Sequence, residues 1–225
     1  MLVPKLPRRL HELSNYLGLP SLPDLISRFL YEQTHPDHNH NDYPLDNVPL
    51  QDCPVYSGKI YVYPSAVAIY YAPSDLSGIG GMYRERIRSV NLWQGTSERR
   101  DCVFVEHDAN APGFRGLHVA QVQHFFKIKH QSTPYPCALV AWFSAIGENP
   151  CPDTGMWMVK PDFDRHGHRA MAVIHIDSIL RGAHLIGIAG KHIIPNQLQH
   201  TDSLNAFTSF YVNKYIDHHA HEIAW

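Results

Sequence analysis

The chain has 225 residues, 44% of them hydrophobic and 11% aromatic, with 19 lysines plus arginines, 21 aspartates plus glutamates and 17 histidines. That is enough length and apolar content for one large domain or two small ones around a real core. A formal net charge of −2 supplies no strong field toward nucleic acid or membrane, and no apolar run approaches the ~20 residues a membrane helix needs.

Residues 1–33 read as a helical hairpin. In "PRRLHELSNYLG", Leu10, Leu13 and Leu17 fall at i, i+3 and i+7, Gly18 stands as a C-cap and Pro20 enforces the stop. "SLPDLISRFLYEQ" opens with Ser21 as N-cap and Asp24 in the acidic slot of a capping box, followed by one apolar stripe of Leu22, Leu25, Ile26, Phe29 and Leu30. Some hairpins of this kind bind DNA, but the second helix carries only Arg28 as a cation, which favours a packing role. Residues 34–54, "THPDHNHNDYPLDNVPLQDCP", are polar and proline-rich with no apolar period, and read as a linker.

Residues 55–190 read as mostly β. Six runs rich in β-branched and aromatic residues are bounded by Gly, Pro, Asn and Asp. They are "KIYVYPSAVAIYYA", "RDCVFVEHD", "LHVAQVQHFFKIKH", "PCALVAWFSAI", "GMWMVKP" and "AMAVIHID". In the third run Ala120, Val122, Phe126 and Ile128 share one parity, while Gln121, Gln123, Lys127 and Lys129 share the other. This is the alternation of a half-buried antiparallel strand. Pro64 interrupts the first run, implying an edge, a bulge or two strands. "SILRGAHLIGIAG" reads as one helical turn capped by Asp177 and then a closing strand, "AHLIGIA". Residues 191–225 read as a helical segment, with Asp202 or Ser203 as cap and Leu204, Phe207 and Tyr211 at helical spacing. The expected class is mainly β (α+β): a small antiparallel SH3-like or reader-like barrel with a helical hairpin before it and a C-terminal helix after it.

Chemistry-bearing motifs are sparse. Cys53, Cys102, Cys137 and Cys151 make no C-x-x-C pair, so neither a ribbon-type zinc site nor a thioredoxin-like motif is present. Cys102 and Cys137 lie in apolar runs and read as buried thiols. "MLVPKLPRRL" lacks the apolar region of a signal peptide, and an intracellular, reducing setting is expected.

The terminal "YIDHHAHEIAW" places His218, His219, His221 and Glu222 within five residues. The zinc-protease pattern would need a histidine at 225, where Trp225 stands, and the deaminase signature also fails. His218 and His221 share a helix face at i, i+3 but supply only part of a zinc ligand set. His35, His38 and His40 lie in the linker, where nothing fixes their geometry. No nucleophile elbow and no identifiable carboxylate pair occur. The chain is therefore expected to be non-enzymatic and to need no cofactor, with a histidine-ligated metalloenzyme using His218, His219 or His221 as the alternative.

Two stretches offer binding surfaces. In "GIGGMYRERIRS" the glycines do not match a phosphate-binding fingerprint, but Arg84, Arg86 and Arg88 alternate. On a strand they would form a basic row opposite Glu85 and Ile87, extended by Arg99 and Arg100, suited to phosphate backbone. On a helix Tyr83, Ile87 and Val90 would form an apolar stripe instead. The competing reading is a solvated face paired to Glu85 and Glu98. "WFSAIGENPCPDTGMWMVKPDF" sets Trp142, Phe143, Trp157 and Met158 around a loop carrying Glu148 and Asp153. Such aromatics either line a peptide groove or methyl-lysine cage, or fill the barrel.

The strings "YYAPSDLSG", "GGMYRERIRS", "RRDCVFVEHD", "PDTGMWMVKPDFD", "VIHIDSILRGAHLIGIAG" and "DSLNAFTSFYVNKYIDHHAHEIA" resemble the C-terminal region of the CACTA-like and Plavaka-type transposases of mushroom-forming fungi. The resemblance spans nearly the whole chain, from "LGLPSLPDLISRFLYEQ" onward, though none of the strings is a chemically defined motif. In that family the strand-transfer carboxylates belong to an upstream ribonuclease-H-like domain, and no run here matches it, so no catalytic residue is carried over. The resemblance implies a non-catalytic interaction module, a fragment of a larger transposase whose reading frame is cut after "HHAHEIAW". Its expected partner is DNA or a chromatin or transposase protein, its expected location nuclear and not membrane-bound, with Arg84, Arg86, Arg88, Trp142 and Trp157 as contact residues. An inert transposon remnant is the further alternative.

Overall fold

A computed structural model of the chain describes residues 6–35, 48–74, 79–95, 97–190, 197–199 and 202–225. Two helices, α1 (Leu10–Leu17) and α2 (Leu22–Thr34), open the chain. Gly18 ends α1 in the left-handed region at φ 62°, with its N–H on Asn15 O. Glycine reaches that conformation without a Cβ penalty. Ser21 sits at the N-cap of α2 but its side chain makes no capping hydrogen bond, so the capping box does not form. Pro23, in the first turn, needs no N–H there. Most of the linker, residues 36–47, with His38 and His40, lies outside the described residues. Its described end makes a 3-10 turn, Leu50–Asp52, and Arg28 Nη1 donates to Val48 O at 2.9 Å.

The body is mainly β. Its strands are β1 (Tyr61–Tyr63), β2 (Ser65–Tyr71), β3 (Met82–Trp93), β4 (Ser97–Arg100), β5 (Cys102–Glu106), β6 (Leu117–His130), β7 (Thr133–Ala145), β8 (Met158–Pro161), β9 (Met171–His175), β10 (Ile179–Ala183), β11 (Leu185–Gly187) and β12 (Phe210–Val212). Pro64 falls between β1 and β2, which join different sheets: β1 pairs with β6 and β2 with β3.

The long β6–β7 hairpin is the axis. Along its outer edges β6 pairs first with β5 and then with β1, and β7 pairs with β9 and then with β8. Continuing through β12 and β11 on one side and β10 on the other gives a nearly closed, antiparallel, barrel-like sheet. A second sheet, β2–β3–β4, lies over it.

Apolar residues sit on both faces of the hairpin. Cys137 and Leu139 of β7 face the helical hairpin, in one cluster with Ile26, Phe29 and Leu30 of α2. Ala138 and Val140 face the second sheet, with Ala68 of β2 and Ile87 of β3. A third cluster, with Phe143, Trp157, Phe210 and Val212, closes the far end. A register shift between Val122 and His124 changes which parity of β6 faces which layer. Ala120 and Val122 pack with Phe125 toward the second sheet, whereas Phe126 and Ile128 pack toward the helices. The residue inserted at a β-bulge flips every side chain beyond it, so the four even-numbered apolar residues do not share one face.

The segment expected to be helical after residue 202 divides into three. A one-turn α3 (Ser203–Ala206) is followed by strand β12, which pairs with β8 and β11, and by a short α4 (His218–Ile223). Phe210 and Val212, spaced two apart, face the core and Tyr211 is half-buried. Tertiary pairing overrides the helical spacing here. The helical turn expected at Asp177 is a 3-10 turn, Ile176–Ser178, whose N-cap is His175, and strand β10 begins directly after it. All four cysteines are free and buried.

Candidate functional site

The arginine stretch is a strand. In β3, Arg84, Arg86 and Arg88 point to the outer face, while Glu85 and Ile87 turn inward. Opposite them on β2 stand Ile69, Val67 and Ser65, so the row runs beside exposed aliphatic side chains and ends next to exposed Tyr71 and Met82. Among the described residues none of the three arginines forms an ion pair. Arg86 Nη1 donates to Ser65 Oγ at 3.1 Å, and the Arg88 guanidinium lies 4.6 Å from the ring centre of Trp93.

Among the described residues, the carboxylates beside the row are bound to other groups, while Asp101 Oδ2 accepts from Arg88 N at 2.8 Å. Glu85 accepts from Gly182 N at 2.9 Å, and Glu98 pairs with Arg100 at 3.5 Å. Arg99 stands opposite Val90 on the face of the row and packs on Trp93 at 5.1 Å, but Asp101 holds it at 2.7 Å. Arg100 stands opposite Ser89, an inward position, and bonds Ser89 Oγ and Asn91 Oδ1. The row therefore extends weakly to Arg99 and not to Arg100.

Trp142 and Trp157 come together at a cleft of about 710 Å³. It opens where β6 begins and β7 ends, so side chains from both faces of β7 reach it, among them Trp142, Phe143 and Ser144. The 3-10 turn Gly113–Gly116 closes one side, and its Phe114 ring stacks on Trp157 at 4.9 Å. His118 stacks on His107 at 4.2 Å and meets the Trp142 ring edge-on at 5.7 Å. Partial desolvation, and then the neighbouring His107, lower the pKa of the exposed His118 from its ordinary value. Glu148 and Asp162 bring carboxylates to the lining and Arg115 a guanidinium. Asp162 is fixed by the Ser144 hydroxyl and by its own N–H on Trp142 O at 3.0 Å. Met158 and Asp153 do not line the cleft.

The terminal histidines do not converge. α4 starts at Asp217, whose Oδ1 accepts from Ala220 N at 2.7 Å. His218 pairs with Glu222 along the helix at 3.5 Å. His219 turns inward, stacks on Tyr70 at 4.4 Å and receives Arg181 Nη1 on its Nδ1 at 3.2 Å. Among the described residues no three His, Cys, Asp or Glu side chains are arranged to hold a metal ion.

Arg181 is the residue that organises this corner. Only 2% exposed, it binds Asp217 through both Nη atoms at 2.7 and 2.6 Å, lies 3.7 Å from Glu85 and covers the Tyr70 ring at 4.8 Å. A Cβ at Gly182 would lie 2.8 Å from Glu85 Oε1, so glycine there is what lets the carboxylate reach the backbone N–H. Burial opposes the charges, but the mutual hydrogen bonds win: Arg181 is held above and Asp217 below its ordinary pKa. The segment "SILRG" was expected as a helical turn, and nothing in it marked Arg181 as buried; a buried arginine needs a partner. The partners, at positions 85 and 217, were not readable.

Comparison with protein-family models, with curated proteins and with solved structures returned no match. No helix among the described residues is long and apolar enough to cross a membrane.

Proposed function

We propose that this chain is a non-catalytic, transposon-derived interaction module that grips nucleic-acid backbone through the outer face of β3, as part of a larger nuclear transposase. The observation that carries the reading is the row of Arg84, Arg86 and Arg88 on one strand face, its neighbouring carboxylates drawn inward to Gly182 or sideways to Arg100. Side chains two apart on a strand repeat about every 6.8 Å, so the guanidiniums form a ladder of separate phosphate contacts. Phosphate contacts position a protein on the duplex without reading sequence, and an interface of three arginines needs no globally basic chain. The resemblance of the long strings to Plavaka-type transposases supports the same reading and suggests DNA as the polyanion. Among the described residues nothing favours the metalloenzyme alternative, and His219 is committed to Arg181 and Tyr70.

The test is a mobility shift of labelled duplex DNA across a salt series. Binding should weaken with salt by about 0.9 log units per log unit for each phosphate contact. The Arg84→Ala/Arg86→Ala/Arg88→Ala variant should lower that slope by about 2 to 3 and remove most of the shift at moderate salt. An unchanged shift in the variant excludes the row, and no shift by the unaltered protein at low salt favours an inert remnant.

A further inference from the structure

The geometry points to a second binding site, in the cleft between β6, β7, β8 and the Gly113–Gly116 turn, for a methylated ammonium group. The site shares no residue with the arginine row, so it goes beyond the polyanion reading and stands or fails separately.

A methylated ammonium carries full charge but few or no N–H donors and is poorly hydrated. Ring faces and a nearby negative field recognise it better than a point acceptor does. The cleft supplies both. Trp142 lines the cleft and is half-buried, with His118 in a T-shaped contact at 5.7 Å and His107 stacked on His118 at 4.2 Å. The stacked Phe114–Trp157 pair and Leu117 add an apolar wall. Glu148 is exposed at the lining, and Asp162 is held in place by Ser144 and the Trp142 carbonyl. Arg115 also lines the cleft, so two carboxylates there face one guanidinium. That balance disfavours phosphate or carboxylate ligands. An unmethylated ammonium would lose strongly bound water on entering walls that are mostly rings, at a cost they repay poorly.

The experiment titrates the full chain by calorimetry with three probes. They are choline, a capped peptide containing trimethyllysine, and the same peptide with the uncharged tert-butyl isostere of that side chain. Both cations should bind saturably, and the isostere at least tenfold more weakly than its charged twin. Tighter binding of the peptide than of choline identifies a lysine on a protein as the source; the reverse identifies a small molecule. Trp142→Ala should weaken binding more than tenfold, Trp142→Phe should restore most of it, and Glu148→Gln should weaken it several-fold. Glu148 is exposed, so that variant reports on the site even if Trp142→Ala fails to fold. The arginine-row triple variant should bind both cations as the unaltered chain does. Equal affinity for cation and isostere, no saturable binding of either cation, or indifference to both Trp142→Ala and Glu148→Gln would overturn the assignment.

Discussion

Arg181 and His124 carry the clearest consequences of single side chains. Arg181 is 2% exposed, and removing it strands Glu85, which is itself only partly exposed, beside the Gly182 N–H. Breaking a buried ion pair costs about 3–5 kcal/mol. Asp217 is 41% exposed and can rehydrate, so Arg181→Met should lie near the lower end. Adding Glu85→Gln should recover part of the loss in urea unfolding. His124 is 9% exposed, and burial, then the Arg100 charge, push its pKa down to about 4. The unfolded chain protonates this histidine near ~6.5 and the folded one does not. Stability from this group is thus complete above the unfolded value and is lost as pH falls toward 4. The loss is on the order of 3 kcal/mol. His124→Gln should flatten the change in urea midpoint between pH 7 and pH 4.5, while an unchanged slope would place the acid sensitivity elsewhere. Asp217, with its pKa lowered, adds a further loss in the same direction at still lower pH. His124 shares the parity of Ala120 and Val122 in the sequence, but neither its burial nor the partners of Arg181 could be read there.

At the scale of elements, local signals worked where local interactions decide. Gly18 ended α1 as a left-handed cap, and the apolar stripe of α2 is the face that packs on the sheet. Pro64 divided one apparent strand into two, in different sheets. Leu30 of α2 is fully buried in the cluster the helices share with the sheet, so Leu30→Ala should cost about 2–5 kcal/mol. If the hairpin were merely appended to the barrel, that variant would leave the main denaturation transition of the sheet where it was. Local signals failed at β12. Leu204, Phe207 and Tyr211 kept helical spacing, but Phe210 and Val212 find partners in β8 and β11, and cross-strand pairing of buried aromatics outweighs a weak helical preference. They failed again at the β6 bulge, because a register shift is a property of two strands and leaves no mark in one.

Across the whole molecule, three cores share one hairpin, and both candidate surfaces lie at its margins. The arginine row belongs to the sheet that covers one face, and the aromatic cleft to the end where β6 begins and β7 ends. Sequence by itself determined the mainly-β class and the helical hairpin and brought Trp142 and Trp157 forward, the first two from periodicity within one segment. It left the arginine stretch open between strand and helix, and the pairing of β3 with β2 and β4 made Arg84, Arg86 and Arg88 one face. Only the tertiary structure decided that Glu85 turns away from the arginines to Gly182. The same holds for His118 and Asp162 joining the tryptophans, and for His219 leaving its neighbours to meet Arg181. Each of those meetings joins residues tens of positions apart, and charge and burial, not spacing, select the partner.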